Sequence, residues 1–81
     1  MVPRQNAKVL MVNKIYGFVV VDAGYINGLG KNTLLDVSRE GRRVGKVMIT
    51  KPREKISGAV ILPEWRTKDE IRVGDIVGIS P

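Results

Sequence analysis

Glycine-centred turns divide residues 17–50 into short runs of β-formers, and this punctuation constrains the chain more than any other feature. Three extended runs, 18–22, 34–38 and 44–50, are separated by a glycine-rich stretch at 23–32 and by the tight turn Arg39-Glu40-Gly41-Arg42. Valine, isoleucine, phenylalanine and threonine suit a pleated surface, whereas glycine and asparagine tolerate the left-handed backbone that reverses it. No stretch longer than two helical turns shows apolar residues at helical spacing. Strand, bend, strand, hairpin and strand make the meander of a small β-barrel.

The flanking residues extend the same pattern. Residues 8–13 read as a first strand, with Ala7, Val9 and Met11 on one face and Lys8, Leu10 and Val12 on the other. Phe18-Val19-Val20-Val21 is a continuous apolar run, expected where both faces of a strand are covered, and this places it at the barrel's centre. Tyr25, Ile26 and Leu29 lie among the glycines of 23–32 and are expected to fold back as a plug, with room for one short helical turn. In the hairpin, Gly41 is the expected left-handed residue. On its return strand Gly45, Val47 and Ile49 are the inward set, opposite Val44, Lys46, Met48 and Thr50. Residues 57–62 resume a strand that Pro63 should end. After the polar segment 63–70, Gly74-Asp75 turns the chain into a last strand that can pair with the first and remove the exposed edges.

The expected fold is therefore all-β: a small SH3-like or OB-like barrel of five to six antiparallel strands. Its expected core is Val9, Met11, Val19, Val21, Leu35, Val37, Val47, Ile49, Ala59, Ile61 and Val77. With 81 residues there is room for one domain, expected over 7–81, with 1–6 as a flexible tail or linker. No apolar run approaches the ~18 residues that cross a bilayer. The N-terminus has no apolar signal core, which fits either a cytoplasmic protein or a domain whose targeting segment lies elsewhere.

Composition narrows the chemistry further. The chain has neither cysteine nor histidine, which excludes disulfides and thiolate metal sites and removes the commonest general base and zinc ligand. The net charge is +6, and residues 39–55 supply +5 of it: Arg39, Arg42, Arg43, Lys46, Lys51, Arg53 and Lys55 stand against Glu40 and Glu54.

Several residue patterns resemble a known group. Phe18-Val19-Val20-Val21-Asp22-Ala23-Gly24, Asn27-Gly28-Leu29, Leu35-Asp36-Val37, Gly41 with Val44-Gly45-Lys46-Val47, Ser57 with Ala59, and Val73-Gly74-Asp75-Ile76-Val77 look like small β-barrel modules of bacterial cell-envelope proteins. They are similar to the C-terminal SH3-like domain of the flagellar assembly protein T family and to the barrels of the rod-shape-determining protein C family. The resemblance covers residues 8–79 and consists of turn glycines and core positions, so no functional residue carries over. It implies a non-catalytic assembly or scaffold module in the cell envelope or periplasm, belonging to a larger protein. A membrane would be reached only through segments absent from this chain.

Reactive constellations fare poorly against structural readings of the same residues. Gly30-Lys31 suggests a phosphate loop, but the required earlier glycine is Tyr25, the required hydroxyl residue after the lysine is Asn32, and no helix follows. A Ser57–Lys55 or Ser38–Lys46 nucleophile pair needs a buried lysine, and Lys55 lies among charges. Asp22, Asp36 and Asp75 read as turn caps or outward strand residues rather than cation ligands. No enzyme and no cofactor is expected.

The basic residues 39–55 leave two readings open. They are a solvated face or a contact for a protein partner or a second copy, or else a nucleic-acid footprint. The first is favoured because no aromatic residue lies inside the basic segment to stack bases. Trp65 is either a lid on a barrel end or an exposed anchor for a partner, with the lid favoured. The candidate binding residues are thus Arg39, Arg42, Arg43, Lys46, Lys51, Arg53, Lys55 and Trp65.

Overall fold

Each run of β-formers becomes a strand. In the computed structural model, which describes residues 7–65 and 70–80, these are β1 (Ala7–Asn13), β2 (Phe18–Val21), β3 (Leu34–Arg39), β4 (Arg42–Pro52), β5 (Ser57–Ile61) and β6 (Ile76–Ile79). They pair antiparallel throughout and close in the order β1-β2-β5-β4-β3-β6. The chain is an all-β closed barrel of six strands, as its turns predict. The expected tail at 1–6 lies outside the described residues.

Closure depends on β6, which pairs with β3 through Leu35↔Ile79 to Ser38↔Ile76 and with β1 through Ala7↔Val77 and Lys8↔Ile76. Two backbone bonds prolong the short β1 seam: Gly74 N–H donates to the Val9 carbonyl at 2.8 Å, and Val9 N–H donates to the Asp75 carbonyl at 2.9 Å.

Two glycines fulfil different steric demands. At the β3–β4 hairpin both Glu40 and Gly41 have positive φ, 54° and 79°, between the paired Arg39 and Arg42. This is the turn whose twist matches that of antiparallel strands. Gly24 instead is extended, at φ −144°. A Cβ there would stand 2.1 Å from the Arg53 carbonyl oxygen, so close approach of the 53–54 backbone excludes any side chain. Gly24 opens a 3-10 turn, Tyr25–Asn27, whose Tyr25 and Ile26 N–H groups donate to the carbonyls of Arg53 and Glu54. The plug expected from 23–32 is therefore smaller than its apolar content suggests. Leu29 and Ala23 are buried, while Tyr25 and Ile26 face solvent.

The core contains Val9, Val19, Val21, Leu35, Val37, Val47, Ile49, Ala59 and Val77 as expected, with Ile61 half-buried against it. Each fully buried valine or leucine contributes about 1.5–3 kcal/mol. Met11 is the exception, at 44% exposure. The β1–β2 register shifts between Val9 and Met11, so the intervening Leu10 is an extra residue that reverses the alternation and directs Val12 to the core. A second bulge, opposite the Val37/Ser38 step, leaves Val44 without a strand partner and buries it beside Gly45, although alternation predicts it outward. Ile71 is also buried, and its side chain fills the space that a Cβ on Gly45 would enter, with Cδ1 at 2.6 Å from that position.

Candidate functional site

The barrel divides the basic segment in two. At the hairpin, Arg39 reaches across to buried Asp75: Nε donates to Oδ1 at 2.8 Å and a terminal nitrogen donates to Oδ2 at 3.0 Å, a two-pronged geometry suited to guanidinium and carboxylate. Arg39 also donates to the Glu70 carbonyl, and Asp75 accepts the Arg72 N–H at 2.8 Å, capping its own turn as the sequence predicts. Lys46 pairs with Asp36 directly across β3 and β4, at 3.7 Å, and Arg43 approaches the same carboxylate at 3.3 Å. Arg42, at the exposed hairpin corner, makes an interaction of its own.

Lys51, Arg53 and Lys55 are different. All three are exposed, and among the described residues none of them forms an ion pair. A third bulge explains the position of Lys51. Residues 45, 47 and 49 point inward, so regular alternation would send residue 51 inward too. The β4–β5 register shifts between Ile49 and Lys51, leaving Thr50 as the extra residue and setting Lys51 opposite the outward Gly58.

Lys51 and Arg53 border an apolar groove. Val20, Gly58 and Lys51 form one row across β2, β5 and β4, while Phe18 and Val60 are partners in the next. The groove has a volume of about 420 Å³, walled by Phe18, Val20, Ile56 and Val60, with Lys51 and Arg53 as the ionisable lining groups among the described residues. Gly58 lies between Val20 and Lys51 and presents no side chain, which lowers the centre of the sheet surface. The run at 18–21 therefore covers its two faces unequally. Val19 and Val21 are wholly buried, whereas Phe18 and Val20 are half-buried along an open groove with no other element over them among the described residues. The sequence-based candidates included Lys51 and Arg53 and missed the apolar walls Phe18, Val20, Ile56 and Val60. The signal that points to Phe18 and Val20 is the unbroken apolar run, whose outward half must meet something.

The reactive pairs considered from sequence are not assembled. Ser57 is completely buried on the inner face opposite Val21, with no partner for its hydroxyl, while Lys55 is exposed. Asp36 and Asp75 are committed to the ion pairs above, and among the described residues no group of three acidic side chains could hold a metal. Exposed Glu70 is held below the ordinary glutamate value chiefly by the hydrogen bond from Lys14 and then by its charge. Trp65 ends a 3-10 turn, Pro63–Trp65, but its side chain lies outside the described residues, and with it the choice between lid and anchor.

The class defined by this geometry is a small closed β-barrel with a cation-rimmed apolar groove on its outer wall. No family model, curated protein or solved structure matches the chain. The functional reading therefore rests on the groove and its charges.

Proposed function

We propose that the chain is a non-catalytic interaction barrel that docks a protein partner on its outer wall, as a module of a larger bacterial cell-envelope assembly. The observation that carries this reading is the groove lined by Lys51 and Arg53. Its apolar walls can seat side chains, and its cations have no acid within the described barrel to neutralise them. The SH3-like character and the envelope setting belong to this proposal. Support for them is the resemblance at turn glycines, of which Gly28, Gly41 and Gly74 adopt positive φ here.

A photo-crosslinking residue placed at Ile56 tests the reading in the organism that expresses the chain. It should give a discrete protein adduct, and a matching residue at Glu40 on the hairpin corner should not. Adducts at neither position, or equal adducts at both, would remove the docking surface from the account.

A second reading has one observation in its favour. The sequence places no aromatic inside the basic segment, yet the fold brings Phe18 into the groove that Lys51 and Arg53 line. A single-stranded nucleic acid would stack on that ring and lose affinity steeply with salt. Binding of an oligothymidylate with such a slope, abolished by Phe18→Ala, would favour this reading over docking of a protein.

A further inference from the structure

We infer that the groove over β2, β5 and β4 receives an acidic, apolar-anchored segment of a partner protein. Aliphatic side chains of that segment rest over Gly58, and its carboxylates meet Lys51 and Arg53. The inference rests on the interaction-module reading above and specifies the chemistry of the partner.

Gly58 is the strongest indication. It lies within a strand, where glycine has the least to recommend it, and its backbone does not have the positive φ that would demand glycine. Nor does crowding demand it. A Cβ there would meet only Lys51 Cβ, at an ordinary 3.7 Å, so a side chain fits and the fold would tolerate one. Its absence instead leaves an open place between Val20 and Lys51, where another chain can approach closely.

The walls and the rim then define what approaches. Phe18, Val20, Ile56 and Val60 offer dispersion contacts and no hydrogen-bonding side-chain groups, which suits aliphatic residues. Among the described residues Lys51 and Arg53 have no ion-pair partner, and the bulge at Thr50 holds Lys51 on that surface. Complementarity calls for carboxylates. A second copy of the chain is disfavoured by the same charges, because a two-fold contact through this face sets the patch against itself in a protein of net charge +6.

The test is selection of a displayed random-peptide library on the full chain. Synthetic copies of the enriched peptides are then titrated by fluorescence anisotropy and mapped by amide chemical shifts. Enriched sequences should combine Asp or Glu with Leu, Ile, Val or Phe, and should shift the amides of β2, β5 and residues 50–56. Gly58→Val, which fills the groove, should weaken binding about tenfold or more, as expected where a central anchor is displaced. The double change Lys51→Glu and Arg53→Glu should weaken it to a similar extent and flatten its salt dependence, while Arg42→Ala should leave it unchanged. Thermal melts confirm that each variant is folded. Enriched peptides that are neutral or basic, or binding indifferent to Gly58→Val, would overturn the inference. If such binders map to another face, the interaction-module reading survives without it. If the library yields no binder and oligothymidylate binds instead, both readings fall.

Discussion

At one end of the basic segment Arg39 grips a carboxylate that is 4% exposed, and at the other Lys51, Arg53 and Lys55 are exposed, the first two beside an apolar groove. The residue types are alike and the sequence runs continuously between them, so composition does not separate the two groups. Their surroundings do. Asp36 and Asp75 stand on or next to strands that pack against the hairpin, and the charges there are answered within the barrel. Residues 51–55 cross to a surface where the neighbouring strands carry valine, phenylalanine and glycine. The first group holds strands together, and the second is left exposed on the outer wall.

The sharpest way to break that contrast is Asp75→Ala. It leaves the Arg39 guanidinium and the Arg72 N–H without their acceptor, and unfolding in urea should show a loss of about 3 kcal/mol, as expected when one member of a largely buried pair is removed. A loss no larger than that of Lys51→Ala would erase the distinction between the two ends. Next in size is Gly24→Ala, which drives a methyl group into the Arg53 carbonyl and should destabilise by about 2 kcal/mol. Chemical shifts should move at residues 53–55 and not at the hairpin, which would show that Gly24 fixes the outer cations alone.

Ser57→Ala has the opposite sign. Its hydroxyl is buried without a hydrogen-bond partner, so removal should raise stability by about 1 kcal/mol, measured as a higher melting temperature. A fall would mean that the hydroxyl has a partner after all. Lys51→Ala and Lys55→Ala should each stay within about 0.5 kcal/mol of the parent, since both side chains are exposed and neither has an ion-pair partner among the described residues.

The smallest effect belongs to a third kind of charge, the fully exposed pair Lys14–Glu70. Because the folded state lowers the Glu70 pKa, the pair adds stability above the ordinary glutamate value and loses it as the pH falls through the folded pKa. Carbon-detected NMR titration should show Glu70 protonating at lower pH than a free glutamate, and Lys14→Met should abolish the displacement.

The strands and turns were legible because their signals are local. Glu40-Gly41 and Gly74 lie where short β-runs stop, and all six runs pair as strands. Strict alternation fails at the three register shifts. Met11 turns outward and Lys51 onto the grooved face, each next to an extra residue, and Val44, itself the extra residue of its bulge, turns inward. A bulge depends on what the neighbouring strand requires, and a single strand's sequence does not carry that information. For the same reason, the seven cations read as one patch until their partners were placed. Phe18 and Gly58 are remote from that segment in the sequence and join it only through strand pairing.

The four residues of β6 occupy the gap between β1 and β3, so two long edges wait for the last strand to be made. During synthesis the ribbon emerges in order yet cannot become a cylinder until Ile76–Ile79 has left the ribosome. Until then the flank of β3 and the flank of β1 are open to any extended peptide nearby. A stop codon ahead of residue 76 would thus yield an adhesive sheet rather than a slightly shorter barrel.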